Sequence, residues 1–426
     1  MSSDDNNNND HLLTADTVSS YLFAEHKNDL PIDFVGDADS ASKWKASAIM
    51  GGNVNYAFVV ENTANNKKVF VKQAPEFVAI FGPDGFPLSS ERMEKEINVY
   101  AEWNTMLTSN SETFLPEIYF FDKSKMTVCM EFLDGYELLD HVLVSSKDGV
   151  FPMPTSWSDG LGKFMGTVHA ATHSSNIGKE KVLSYAQEYE NRPMRDIQLE
   201  FVFTKAYKES TDEQRAGLEL TAEFLEQVEL LKSQYNYVPT TGETDASLVL
   251  CHGDLHPGSV MVVADEKSGG NDVKVIDPEF TVYGPPGLDV GSLLSGYILG
   301  AIHQAYSKNA AAAENIIDAI QRIWESYVAA FGGENADLVK SIEIETVGFA
   351  VAEVCRTALG HAGGRVWLQF PDAPETQKAA QKTALNLVQN CLVPRHDAES
   401  AILLLQQQLR KACMLEAKWT NEGVAC

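Results

Sequence analysis

The chain has 426 residues, more than one core usually holds, so two lobes are expected. Apolar residues make up 44 %, enough for a substantial core, while 60 acidic against 33 basic residues leave a net charge of −27. That balance excludes general binding to nucleic acid or to an anionic membrane surface, because phosphate contacts need Lys and Arg.

Residues 1–10 are polar and Asn-rich, and disorder is expected there. The start has neither the basic nor the apolar region of a secretory signal. No run reaches the roughly 18 apolar residues of a membrane span, so the cytoplasm is the default location. Cys129, Cys251, Cys355, Cys391, Cys413 and Cys426 show no C-x-x-C spacing and no accompanying His cluster. They read as small buried apolar residues of a reducing compartment.

In chain order, residues 11–27 carry helical spacing, and Ser47–Val60 reads as strand, glycine turn, strand. Lys68–Gln73 alternates as a strand, with Val69 and Val71 on one face and Phe70 and Lys72 on the other. Ser89–Leu107 is helical, opened by Ser-Ser and an acidic first turn. Phe114–Phe121 and Met126–Phe132 are two more strands. The pattern then changes near 132–136, and a long, mainly helical remainder follows. Within it Ser247–Cys251, Val260–Val263 and Val273–Ile276 are short runs suited to buried strands. Asn309–Phe331 and Glu399–Leu415 are helices, and no internal repeat is present. The expected organisation is a tail, 1–10, then a lobe of strands and one helix, 11–132, then a helical lobe, 133–426. The fold class is α+β.

Chemistry concentrates in two loops. His252-Gly253-Asp254-Leu255-His256-Pro257-Gly258-Ser259 follows a buried strand, and Asp277-Pro278-Glu279 comes 23 residues after Asp254, at the end of a second apolar run. One carboxylate that orients a hydroxyl and takes its proton, and a second site that holds Mg²⁺, suit phosphoryl transfer. A lone Asp after a strand is ordinarily a turn or cap residue; the two motifs together at this distance are the signal.

The first half supplies the matching parts. Gly51-Gly52-Asn53 lies between strands, where bare backbone can approach phosphates, although an ordinary hairpin turn has the same composition. Lys72 is a candidate for the α- and β-phosphates, against the reading of an outward solvated Lys. Glu96 on the next helix could hold it, in competition with Glu91, Glu94 and Glu102. Met130–Gly135 is a hinge candidate whose backbone, at Glu131 and Phe132, would meet adenine. Asp289, in Gly287-Leu288-Asp289-Val290-Gly291, reads as a cap that braces the catalytic loop, and His169 and His173 as packing or surface residues.

These motifs resemble the aminoglycoside phosphotransferase/choline kinase superfamily, whose fold is protein-kinase-like. Asp277-Pro278-Glu279, Ser259, and the string from Val275 to Leu294 are similar more narrowly to methylthioribose kinases. The resemblance implies transfer of phosphate from ATP, with Mg²⁺, to 5-methylthioribose in methionine salvage. It makes Asp254 the base, Asp277 and Glu279 the metal ligands and Lys72 a phosphate ligand, and it implies a homodimer. Two segments depart from the family. Its twin arginines are represented by Arg356 alone, with Arg365 nearby, and its substrate-covering Trp is replaced by Phe86, which lacks the indole donor. Other small hydroxyl acceptors, and a nucleotide-binding module without catalysis, are the competing readings.

Overall fold

The computed structural model describes residues 12–49, 54–107, 114–146, 151–263, 273–362 and 365–422. Gly51, Gly52 and Asn53, and the tail 1–10, lie outside them. The chain divides into two compact units, Met1–Glu102 with Leu115–Asp134, and Trp103–Phe114 with Gly135–Cys426.

The first unit is built on five antiparallel strands: β1 (Trp44–Ala48), β2 (Tyr56–Asn62), β3 (Lys67–Gln73), β4 (Ile118–Asp122) and β5 (Thr127–Glu131), in the order β1-β2-β3-β5-β4. Alternation along β3 decides what faces what. Val69 and Val71 join Phe58, Val60, Trp44 and Cys129 in a core that takes Val18 and Leu22 of the helix Val18–Glu25. Phe70 points the other way, packed with Met93, Ile97, Val128 and Met130. Lys72, two residues on, shares that side, towards the helix Arg92–Leu107.

Two strands are shorter than their apolar runs. Phe114–Phe121 yields only Ile118–Asp122, since Pro116 has no N–H for the ladder. β5 begins at Thr127 because Met126 ends the preceding turn in the left-handed conformation, at φ 45°. The helix expected over 11–27 contracts to Val18–Glu25, after a turn in which Val18 N donates to Thr14 O.

The second unit is mainly helical. Its short strands are β6 (Tyr136–Leu138), β7 (Val249–Cys251), β8 (Val260–Val263), β9 (Val273–Val275) and β10 (Val282–Gly284). They form an antiparallel sheet, β6-β8-β9, and an antiparallel pair, β7 with β10. The helix Gly287–Tyr306 is buried along nearly its whole length among the helices Ala310–Phe331, Ala336–Ala358 and Ala401–Glu422. A helix apolar all round has to be central, and this one anchors the loops beside it. Thr155–Thr172 packs along Ala310–Phe331. Among the described residues no helix is long and apolar enough to cross a membrane. The α+β class expected from the sequence is the class observed.

Candidate active site

In the first unit Lys72 meets Glu96. Its Nζ lies 2.6 Å from Glu96 Oε2, and both side chains are buried. Of the competing carboxylates, Glu94 pairs instead with Lys123, at 2.8 Å. At the end of β5 Glu131 N donates to Glu117 O at 2.8 Å, while Phe132 lies under Lys68, 5.3 Å from its ring centroid. Phe132 O accepts from Asp134 N at 2.9 Å, which turns the chain there. Phe86 is half exposed, on a loop tied down by Val78 N donating to Phe86 O.

In the second unit the loop 252–259 leaves β7 and is fixed by side chains from elsewhere in the chain. Asp289, at the buried start of the helix Gly287–Tyr306, accepts from His252 N through Oδ2 at 2.7 Å and from Gly253 N through Oδ1 at 2.9 Å. His169 stands 3.3 Å from Asp289 Oδ2 and 3.3 Å from Tyr327 Oη. It is a fully buried brace of the loop, and His173 is likewise buried, paired with Ser175 and Ser247. Gln198, on the helix Arg192–Glu200, donates to Gly253 O at 2.7 Å.

Gly253 is required on two counts. Its φ of 88° is costly for any L side chain, and a Cβ there would sit 1.9 Å from Phe280 O. The loop therefore lies against the segment that carries Glu279.

His252 joins the two carboxylate motifs. Its Nε2 donates to Ile276 O at 2.9 Å, and its Nδ1 accepts from Asp254 N at 3.3 Å, a pattern that takes the neutral ring. Its ring stacks on Trp103, centroids 6.1 Å apart. Ser259 O accepts from Ile276 N at 3.0 Å, a second tie, and Ser259 Oγ donates to Asp254 O at 3.2 Å.

Asp277 follows at φ 64°, exposed, while Glu279 is buried. A carboxylate oxygen of each comes within 4.8 Å of the other. Two hard oxygen donors that close, one of them desolvated, fit a divalent cation such as Mg²⁺.

The Asp254 side chain keeps about a fifth of its surface exposed. Arg365 Nη2 lies 3.7 Å from its Oδ1, and His256 Nε2 lies 3.7 Å from its Oδ2. Arg356 Nη2 and Arg365 Nη1 both reach Glu353 Oε2, at 3.0 and 3.2 Å. The single arginine visible by motif is therefore one of a pair, the second arriving from beyond the end of the helix Ala336–Ala358. Burial lowers the pKa of Arg365, and burial with the Arg365 charge holds His256 well below its ordinary range, hence neutral. Asp140 also comes close to the loop. A Cβ on Gly258 would meet its Oδ2 at 3.1 Å, and burial raises its pKa.

Motif reasoning named Asp254, Asp277, Glu279, Lys72, Glu96, Asp289 and Arg356 as candidates. It missed Gln198 and Glu353 and gave Arg365 only as a neighbour, since no local pattern marks a residue whose partner lies far along the chain.

Residues 155–323 match the family described as "Phosphotransferase enzyme family". The chain is 26 % identical over 362 residues to a methylthioribose kinase of Geobacillus kaustophilus, spanning 81 % of this chain and 85 % of that one. It is 25 % identical over 404 residues to a methylthioribose kinase of Bacillus pumilus, spanning 88 % and 94 %. Among solved structures, an ethanolamine kinase of Plasmodium vivax covers 89 % of this chain and 92 % of its own at 14 % identity, with a TM-score of 0.45, too distant a likeness to carry an argument. The resemblance carried by the two loops thus extends along most of the chain to the methylthioribose kinases, and over residues 155–323 to the phosphotransferase enzyme family.

Proposed function

We propose that this protein is an ATP-dependent kinase that phosphorylates the anomeric hydroxyl of 5-methylthioribose, a step of methionine salvage. The observation that carries the reading is the arrangement around Asp254. Its carboxylate stays accessible on a loop held by Asp289, His252 and Gln198, with the Arg365 guanidinium 3.7 Å away.

The residues divide the reaction between them. Asp254 takes the proton of the acceptor hydroxyl as its oxygen bonds to the γ-phosphorus. The bond from that phosphorus to the β,γ-bridging oxygen breaks, and ADP leaves with the electron pair. Asp277 and Glu279 would hold Mg²⁺, which supplies neutralisation of phosphate charge when bound. Lys72, kept in place by Glu96, is the candidate partner of the α- and β-phosphates. Arg356 and Arg365 bind the acceptor or the charge that develops on it.

Two guanidinium groups sharing one carboxylate favour a neutral polyol over a cationic acceptor such as choline or an aminoglycoside. A cytoplasmic location goes with this reading, and so does a homodimer, which rests on the resemblance alone.

The test is ADP release from Mg·ATP with 5-methylthioribose, beside ribose, choline and an aminoglycoside. Turnover with methylthioribose alone supports the full reading. Turnover only with another acceptor keeps the kinase and replaces the substrate. ATP binding without turnover on any acceptor would make the protein a binding module.

A further inference from the structure

Arg365 lies beyond the end of its neighbouring helix, yet its guanidinium is held from several sides. Glu353 accepts from Nη1, and Asp254 lies beside Nη2. Trp367 provides the remaining support, with Arg365 Cζ 5.3 Å from its ring centroid, within cation–π range. The ring is completely buried.

Trp367 is itself fixed against the loop that carries Asp254. Gly296, on the central helix, can bear no side chain, because a Cβ would stand 2.3 Å from Pro257 Cγ and 3.1 Å from Trp367 Cζ2. Pro257 and the Trp367 ring therefore converge on the same bare stretch of helix. His256 presents its ring edgewise to Trp367, centroids 6.1 Å apart. The Trp367 backbone is pinned as well, since His303 Nδ1 donates to Trp367 O at 2.9 Å. Support thus runs from the loop that carries Asp254 through His256 and Trp367 to Arg365, and back to Asp254.

We propose that Trp367 is a positioning residue for phosphoryl transfer, whose ring is the shelf that keeps the Arg365 guanidinium beside Asp254. The proposal rests on the kinase reading above. An arginine side chain has many rotamers, and Glu353 alone would let the group swing away from Asp254 about that one contact. A flat ring beneath the guanidinium removes that freedom before substrate arrives. The cation then stands ready where charge develops in transfer, and misplacement by about 1 Å can cost on the order of 10²-fold in rate.

The experiment is a double-mutant cycle of Trp367→Leu with Arg365→Met, with Trp367→Phe as the conservative variant. Trp367→Leu should lower kcat/KM for the acceptor by about 10- to 10²-fold and leave Mg·ATP affinity as it is. Trp367→Phe should restore most of the loss. In the Arg365→Met background, Trp367→Leu should cost little more, because the group it positions is gone. Equal losses in both backgrounds would mean general packing and overturn the proposal.

A void under Arg365 can also unfold the chain. Thermal midpoints therefore accompany each variant, and Trp367→Met, which fills much of the volume without a π face, replaces leucine if that protein fails to fold. If wild type phosphorylates none of the acceptors, it is the kinase reading that has failed. A crystal structure of the Trp367 variant then decides the positioning claim by itself. Arg365 displaced from Asp254 upholds it, and Arg365 unmoved overturns it.

Discussion

Lys72 Nζ and Glu96 Oε2 stand 2.6 Å apart, with side-chain exposures of only 8 % and 1 %. Removing one partner of so buried a pair takes away a charge-assisted contact strengthened by desolvation, at a cost of up to about 3–5 kcal/mol. Glu96→Ala should therefore lower stability by roughly that amount in urea titration and weaken Mg·ATP binding at least about tenfold, since Lys72 loses its fixed position. Unchanged ATP affinity in a folded Glu96→Ala protein would separate Lys72 from nucleotide binding.

The assigned carboxylate roles predict different losses. Asp254→Ala should remove nearly all turnover and leave Mg·ATP affinity near wild type, whereas Asp277→Ala should weaken Mg·ATP as well. Calorimetric titration with Mg·ATP, alongside kcat, reads both. Equal ATP affinities in the two variants would contradict the division between base and metal ligand.

Asp289 uses both carboxylate oxygens on the backbone of the loop that carries Asp254. In Asp289→Asn one oxygen becomes an NH₂ that must face a backbone N–H, so a buried donor goes unpaired at a cost of about 1–3 kcal/mol. We expect that loss in equilibrium unfolding, together with a fall in kcat of about tenfold or more as the loop relaxes. A stability loss with kcat intact would make Asp289 a structural cap only.

Glu345 is buried on the Ala336–Ala358 helix near Gln234, Arg395 and the Gly287 amide, and one of its oxygens has no hydrogen-bond partner. Burial pushes its carboxyl from 4.5 up to about 8. The folded chain thus holds a proton that the unfolded chain releases at lower pH. Its contribution to stability is complete below about pH 4.5 and is lost as pH rises through about 8. Melting temperatures measured from pH 5 to 9 should fall with rising pH more steeply for wild type than for Glu345→Gln, which stays neutral throughout. Parallel curves would show that this carboxyl does not stay protonated in the fold.

Several of these residues were legible without coordinates. Alternation in β3 put Lys72 opposite Val69 and Val71, so once the valines entered the core Lys72 had to face the helix of Glu96. The turn at Met126 and the strand truncated at Pro116 went unread, because backbone conformation overrode an apolar run. The choice of Glu96 over Glu94 depended on helix rotation, which one-dimensional spacing does not specify to within a residue.

Local chemistry is what the sequence by itself determined. An Asp after a buried strand, a glycine before it and a second acidic loop 23 residues later are short-range patterns, and short-range patterns survive in one dimension. What surrounds Asp254 was decided only by the tertiary structure. Asp289 lies 35 residues further along the chain, Arg365 lies 111 residues away, and the ring beneath Arg365 is two residues beyond that. Such contacts exist only once helices with no sequence signature for one another have packed, because the free energy that joins them comes from burying the core as a whole.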